Sequence, residues 1–236
     1  MKYLFFSPVF LFFISPAAIG QSREVIRVPA GSDIAAAVSE SGLYRLPAFT
    51  KGTVYFKDGN IGKELMNYNI LSAQILYIDK RGDTLAIAAP EEIKKLDING
   101  AIFYYNNKNY LEEIAATPAV SLVMQRNVSV HFEKIGAYGN TDPSGSITSY
   151  NTYVAGVGTG NAAYRLFVNE DAVVKKQELF YLLSKYNIQE PASRRGFLAM
   201  FPKNRKNIES YLDNNKVNFN STSDLLQLLS IAASAN

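Results

Sequence analysis

The chain carries one histidine and no cysteine, so the search for chemistry starts at His131. Alternation over Asn127–Glu133 (NVSVHFE) puts His131 on the polar face of a strand with Ser129 and Glu133, opposite Val128, Val130 and Phe132. A Ser, a His and a Glu in a row are the residue types of an acyl-transfer triad. Their spacing argues against it. Residues two apart on a strand are about 6.6 Å from one another, whereas a nucleophile and its base need contact near ~3 Å. No G-x-S-x-G elbow accompanies them. His131 is therefore read as a solvent-facing strand residue, and no catalytic residue is assigned.

Metal and cofactor chemistry have little to stand on. One histidine without cysteine does not make a usual zinc or copper site. Asn140, Asp142 and Ser144 alternate as calcium ligands do, but only one is a carboxylate, where an EF-hand loop uses several and a terminal Glu. A turn with local side-chain bonds is the better account. Gly156, Gly158 and Gly160 miss the phosphate-loop spacing, and no Gly-Lys-Ser/Thr follows. No metal site, cofactor site or cofactor is expected. Glu91-Glu92, Glu112-Glu113 and Glu170-Asp171 are adjacent pairs, and strand neighbours point to opposite faces, so none is an acid/base couple. Carboxylates from distant strands can still converge, because glycosidase geometry is spatial.

Two groups of residues suit binding better than catalysis. Tyr138, Tyr150 and Tyr153 sit among Gly, Ser and Asn, the mixture adaptable contact surfaces use, with large area and a polar tip at low entropy cost. They are the candidate ligand-binding residues; the competing account is that the rings pin their loop to the sheet. Arg194, Arg195, Lys203, Arg205 and Lys206 surround Phe197 and Phe201. They suit an acidic polymer or anionic lipid, although a solvated helix face is the commoner meaning of such a cluster.

The elements that must position these residues are mainly strands. From about Thr53 to Lys134 the pattern has a period of two, with turn residues at short intervals. Asp58-Gly59 is expected to close a type I′ hairpin, Lys80–Asp83 turns the chain, and Asn99-Gly100 is the strongest two-residue hairpin signal. Asn106–Asn109 turns again before Tyr110–Ala116, Val120–Gln125 and Asn127–Glu133. Residues 136–161 are Gly/Ser/Tyr-rich with almost no charge and read as a long loop. Ala163–Val168 and Val173–Leu183 can pair as a hairpin around Asn169-Glu170-Asp171. Ser193 then caps a helix bearing Phe197, Leu198, Met200 and Phe201; Pro202 ends it and opens the next, with Ile208, Tyr211 and Leu212 in a stripe. Ser221–Asp224 resembles a capping box ahead of Leu225, Leu228 and Leu229.

The fold class expected is mainly β: an antiparallel meander forming a small barrel or sandwich, followed by about three short helices. The division is 1–20 a signal peptide, 21–190 the β domain with its loop at 136–161, and 191–236 helices packed on it. Lys2, the apolar run Tyr3–Ile14 and the small residues Ala18 and Gly20 follow the order of a secretory leader, with cleavage near Gly20. That run is shorter than the about 20 residues of a spanning helix, and no later run approaches that length, so no transmembrane span is expected in the mature chain. The chain that remains after residue 20 is long enough to bury a core without staples. The formal net charge of +3 argues against a nucleic-acid partner.

Several stretches carry a resemblance. They are Phe49–Gly59 (FTKGTVYFKDG) with Met66–Asn69, Ile78–Ala86 (IDKRGDTLA) with Pro90–Ile93, Phe103–Tyr105, Phe201–Lys203 and Asn214–Phe219. Together they resemble a set of uncharacterised secreted or periplasmic proteins of Bacteroidota. The resemblance implies a bacterial envelope setting and no particular chemistry. The function expected is a non-enzymatic exported protein that binds an envelope protein or polysaccharide. The alternatives are an envelope carbohydrate hydrolase using separated carboxylates, and a structural envelope subunit.

Overall fold

A computed structural model describes residues 25–32, 37–38, 42–135, 141–142, 147–149 and 171–234. The leader expected at 1–20 lies outside the described residues. So do Tyr138, Tyr150 and Tyr153, and the side chains of Asn140, Asp142 and Ser144. The strands are β1 (Val25–Val28), β2 (Thr50–Phe56), β3 (Ile61–Asn69), β4 (Gln74–Ile78), β5 (Thr84–Ala86), β6 (Ile93–Ile98), β7 (Ala101–Asn106), β8 (Asn109–Ala116), β9 (Val120–Ile135), β10 (Thr141–Asp142), β11 (Ile147–Ser149), β12 (Asp171–Ser184) and β13 (Gln189–Pro191). The helices are α1 (Arg194–Met200), α2 (Arg205–Asn214) and α3 (Thr222–Ala233), with a 3-10 turn at Pro202–Asn204 before α2.

Every pairing along the sheet, among the described residues, is antiparallel, in the order β1-β12-β9-β8-β7-β6-β2-β3-β4-β5. The path ends at β1 and β5 without joining them, so the described residues form an open sheet rather than a closed barrel. Three helices follow it at the C-terminal end, as the residue pattern indicated.

The turns show which local signals govern the meander. Asn99 and Gly100 both have positive φ (53° and 86°), and Ile98 pairs with Ala101 across the two-residue turn. Asn107 and Lys108 do the same at 47° and 65°. The β2–β3 turn is different: only Gly59 is left-handed (φ 94°), and Phe56 N–H reaches Asn60 O at 3.0 Å. Asp58 accepts from Asn60 N–H at 2.9 Å. A wider turn built by an aspartate side chain replaces the expected type I′ pair.

One expectation about a long strand is corrected. Val120–Gln125 and Asn127–Glu133 are one continuous 16-residue strand, β9. It pairs with β12 without interruption from Val120↔Ser184 to Asp171↔Glu133. The break expected at Arg126 does not occur, because that side chain finds carboxylate partners on both neighbouring strands. The other arm of the hairpin expected with Val173–Leu183, residues 163–168, lies outside the described residues. β9 occupies one edge of Ala172–Lys175 and β1 the other.

The inward face of β9 and β12 carries two apolar clusters. Val120, Leu122, Met124, Phe180 and Leu182 meet Phe197, Ile208, Leu225, Leu228 and Leu229 of the helices. Val128, Val130, Ala172 and Val174 meet Val28 and Leu71. A third cluster joins Val54, Met66, Tyr68, Ile75, Leu96, Phe103 and Tyr110 on the other half of the sheet. Polar residues occupy the junction between them.

Candidate functional site

The junction is an ionic cluster centred on Glu112 of β8. Its side chain is 6% exposed and accepts from Arg45 Nε (3.1 Å) and Nη2 (3.0 Å) and from Arg126 Nη1. Arg126, 12% exposed, also lies 3.9 Å from Glu178 on β12, the residue directly opposite it in the ladder. Arg45 comes from a strap, residues 42–49, laid along β3. Asn67, itself buried, holds the strap by accepting from Leu46 N–H (3.1 Å) and donating to Leu46 O (2.9 Å) and Ala48 O (3.1 Å). Arg45 N–H donates to Tyr68 O and Ile70 N–H to Leu43 O. The hydrogen bond it donates to Glu112 pushes the Arg45 pKa further up. Beside the cluster, Tyr68 stacks on Phe103 at 5.5 Å, and burial drives its hydroxyl well above the ordinary range. Both Glu112 oxygens are occupied by guanidinium donors. A carboxylate so engaged is a fixed anion that locks the strap to the sheet, and it has no open position for a reacting water.

Glu113 points to the opposite face, as alternation requires. It accepts from Tyr104 Oη at 2.7 Å and Ser121 Oγ at 2.9 Å. Burial, with the Glu113 bond behind it, pushes Tyr104 up to about 12. The two members of the Glu112-Glu113 pair thus serve different faces. Glu91 and Glu92 lie in a 3-10 turn whose carbonyls accept from Lys57 Nζ and Lys57 N–H, and Asp171 accepts from Ala30 N–H at 2.9 Å.

His131 departs from the expectation in one respect. Its Nε2 is 3.4 Å from Ser129 Oγ. Side chains on a strand lean along its direction, so two residues whose backbones are too distant can still bring their tips together. Desolvation, and then the Lys175 ammonium, lower the imidazole pKa. The contact is at the outer limit of a hydrogen bond. Neither cleft described next includes either residue.

The helical end supplies two concave surfaces. One is a cleft of about 370 Å³ between the β8–β9 turn (Thr117, Pro118, Ala119), the end of α1 with the 3-10 turn (Met200–Asn204), and the last turn of α3 (Ala232, Ala233). Sequence explains each wall. Ser193 caps α1 by accepting from Gly196 N–H at 3.2 Å, Pro202 stops it, and Ser221 caps α3 by accepting from Asp224 N–H at 3.4 Å. Asn204 is 8% exposed and ties the two helical segments together by donating from Nδ2 to Ala232 O at 2.5 Å. Its Oδ1 has no protein donor among the described residues. Lys203 is the one charged residue in the lining. The second surface is a shallower pocket of about 410 Å³ bounded by Arg194, Arg195 and Arg205 over Leu198 and Ala199.

Of the basic cluster singled out in the sequence, Arg194, Arg195 and Arg205 line the shallower pocket, Lys203 lines the cleft, and Lys206 lines neither. Sequence reasoning did not anticipate the apolar cleft or the Arg45–Glu112–Arg126 cluster, whose members are 67 and 14 residues apart. The one available signal for the second was the charged residue at position 126 in an otherwise alternating strand. Among the described residues there is no group of three His, Cys, Asp or Glu able to hold a metal ion, and no helix long and apolar enough to cross a membrane. Comparison with protein-family models, curated proteins and solved structures returns no match.

Proposed function

We propose that this chain is an exported bacterial envelope protein that acts by non-covalent binding, and that the cleft at its helical end receives an apolar ligand with an anionic end. The observation that carries the reading is the cleft itself. Its volume of about 370 Å³ falls within the range of small-molecule sites, about 300–1,000 Å³. Its walls are largely apolar, with one ammonium, Lys203, and one buried amide, Asn204, to orient an occupant. The carboxylates speak for binding rather than hydrolysis: neither concavity is lined by one, and the buried Glu112 is engaged by arginines. Export rests on the leader pattern of residues 1–20.

Anilinonaphthalene sulfonate, an apolar dye with an anionic group, tests the cleft. It should show saturable fluorescence enhancement that dodecanoate competes away. Ala119→Trp fills the cleft from an exposed turn residue and should remove the enhancement while the thermal midpoint stays put. Enhancement that survives Ala119→Trp would discard the cleft as the site. The segment 136–161 is proposed as the surface that meets envelope polymer, on its Gly/Ser/Tyr composition. Its strand β11 is held on β9 opposite Ser129–His131. Pelleting with peptidoglycan sacculi should be lost when Tyr138, Tyr150 and Tyr153 are all replaced by Ala; loss of the thermal transition instead would make the rings structural.

A further inference from the structure

We propose that the arginine pocket on α1 and α2 is a second site, one that binds a phosphomonoester. This is independent of the apolar cleft. Between Glu190 and Glu209 the sequence has no acidic residue and five basic ones: Arg194, Arg195, Lys203, Arg205 and Lys206. The chain as a whole is only +3, so this is a local concentration of charge rather than a property of the protein. Three of the five, all arginines, converge on the pocket of about 410 Å³.

The three arginines are not equivalent. Arg194 Nη2 holds Asp213 Oδ1 at 2.9 Å, and Arg205 Nε holds Glu209 Oε1 at 3.0 Å. Arg195 has no ion pair or hydrogen bond among the described residues. In both pairs the arginine is about half exposed or more, at 48% and 60%. Exposed pairs of this kind are worth little, so an incoming anion can exchange with either carboxylate at small cost. The flanking guanidiniums thus already bind carboxylate oxygens, and the central one is uncommitted.

The chemistry of the rim selects phosphate. A guanidinium presents a planar fork that matches two phosphate oxygens, and phosphate offers three such oxygens to several forks at once. At neutral pH a phosphomonoester carries nearly two negative charges, which suits a pocket with three guanidiniums and lysines 203 and 206 nearby in the chain. Leu198 and Ala199 form an apolar floor against which the ester's carbon portion can rest. Such a group is presented either by a soluble phosphate ester or by the headgroup of an anionic lipid.

The test is titration of the purified protein with inorganic phosphate, with glycerol 3-phosphate, and with phosphatidylcholine vesicles with and without phosphatidic acid. Arg195→Ala should weaken binding on the order of tenfold, the loss of charge-assisted hydrogen bonds, and Arg195→Lys should recover part of it. Lys63→Ala removes the same charge from an exposed position on β3 and should change nothing. Binding of the soluble esters with this pattern identifies the phosphate group itself as the ligand. The same pattern confined to phosphatidic acid vesicles identifies a lipid headgroup. Absence of binding to every phosphate probe, or equal effects of Arg195→Ala and Lys63→Ala, would overturn the proposal.

Discussion

Two charged regions of this molecule are built from the same residue types and differ in structure. Around Glu112, two arginines and two carboxylates face one another at the meeting point of three apolar clusters, and Glu112 is sealed from water. Around Arg195, three arginines and two carboxylates spread over exposed helix surface, and the central guanidinium has no partner among the described residues. The first arrangement uses its hydrogen-bonding capacity internally and thereby fixes a strap to the sheet. The second leaves capacity unused, which is the state of a surface that recognises something else. Composition alone does not separate the two; burial and mutual satisfaction do.

The sharpest way to break this contrast is to remove the central residue of each cluster and compare stability. Glu112→Gln leaves Arg126 nearly buried with only the distant Glu178 to face. Stranding one member of a buried ion pair costs about 3–5 kcal/mol. Arg195→Ala touches a solvated side chain and should stay within about 0.5 kcal/mol of the parent. Urea unfolding of the two variants side by side checks this. Similar losses in both would mean that the helical cluster is also a structural clasp.

A second variant asks whether the helical end depends on its seat against the sheet. Gly196 lies in the first turn of α1, and a β-carbon there would fall 2.0 Å from the carbonyl oxygen of Pro191 at the end of β13. Backbone, not a mobile side chain, is the obstacle. Gly196→Ala must therefore shift α1 away from β13, with a loss of about 3 kcal/mol, the upper part of the range for overpacking. Hydrogen exchange should show the loss in α1–α3 first. Protection that falls uniformly through β2–β8 would tie the sheet and helices into one cooperative unit.

How much of this was legible in the residues depends on the range of the interaction. Asn99-Gly100 declared its hairpin because both positions needed positive φ, a local requirement. Ser193, Pro202 and Ser221 declared the helix boundaries for equally local reasons. Asp58-Gly59 carried the same hairpin signature and closed a wider turn, because Asp58 found Asn60 N–H within its own loop. The pairing of β12 with β9 joins segments more than 35 residues apart, and nothing in either strand's alternation names the other. The same holds for Arg45 and Glu112. The cleft is a property of three separate segments meeting, so no one of them displays it.

Smaller in effect is the cap of α3. Ser221 Oγ accepts from Asp224 N–H and donates to Asp224 Oδ1 at 3.0 Å, while Asp224 Oδ2 accepts from Asn218 N–H at 2.9 Å. Asn218 N–H first, then the Ser221 and Ser223 hydroxyls, hold the Asp224 carboxyl below the ordinary range. Ser221→Ala should cost about 1 kcal/mol and raise the Asp224 titration midpoint, both readable by NMR and thermal unfolding. Because α3 forms one wall of the cleft through Ala232 and Ala233, dye uptake should weaken in proportion. Unchanged uptake would place the cleft's integrity in the Asn204–Ala232 bond rather than in the helix as a whole.

The smallest effect belongs to His131, on the sheet's outer face. Desolvation lowers its pKa first, and Lys175, opposite Ser129 in the ladder, lowers it further. A histidine whose folded pKa lies below the unfolded value of about 6.5 binds fewer protons folded than unfolded. Its contribution to stability is therefore present above pH of about 6.5 and is lost as pH falls through that value. Lys175→Gln removes only the second of the two causes, so the imidazole midpoint should rise but stay below the unfolded value. His131→Gln should flatten this part of the stability profile without touching the sheet. A midpoint in the parent protein at or above about 6.5 would mean that protonated His131 has found an acceptor on its own strand. The row of Ser129, His131 and Glu133 would then merit the catalytic reading that its spacing argued against.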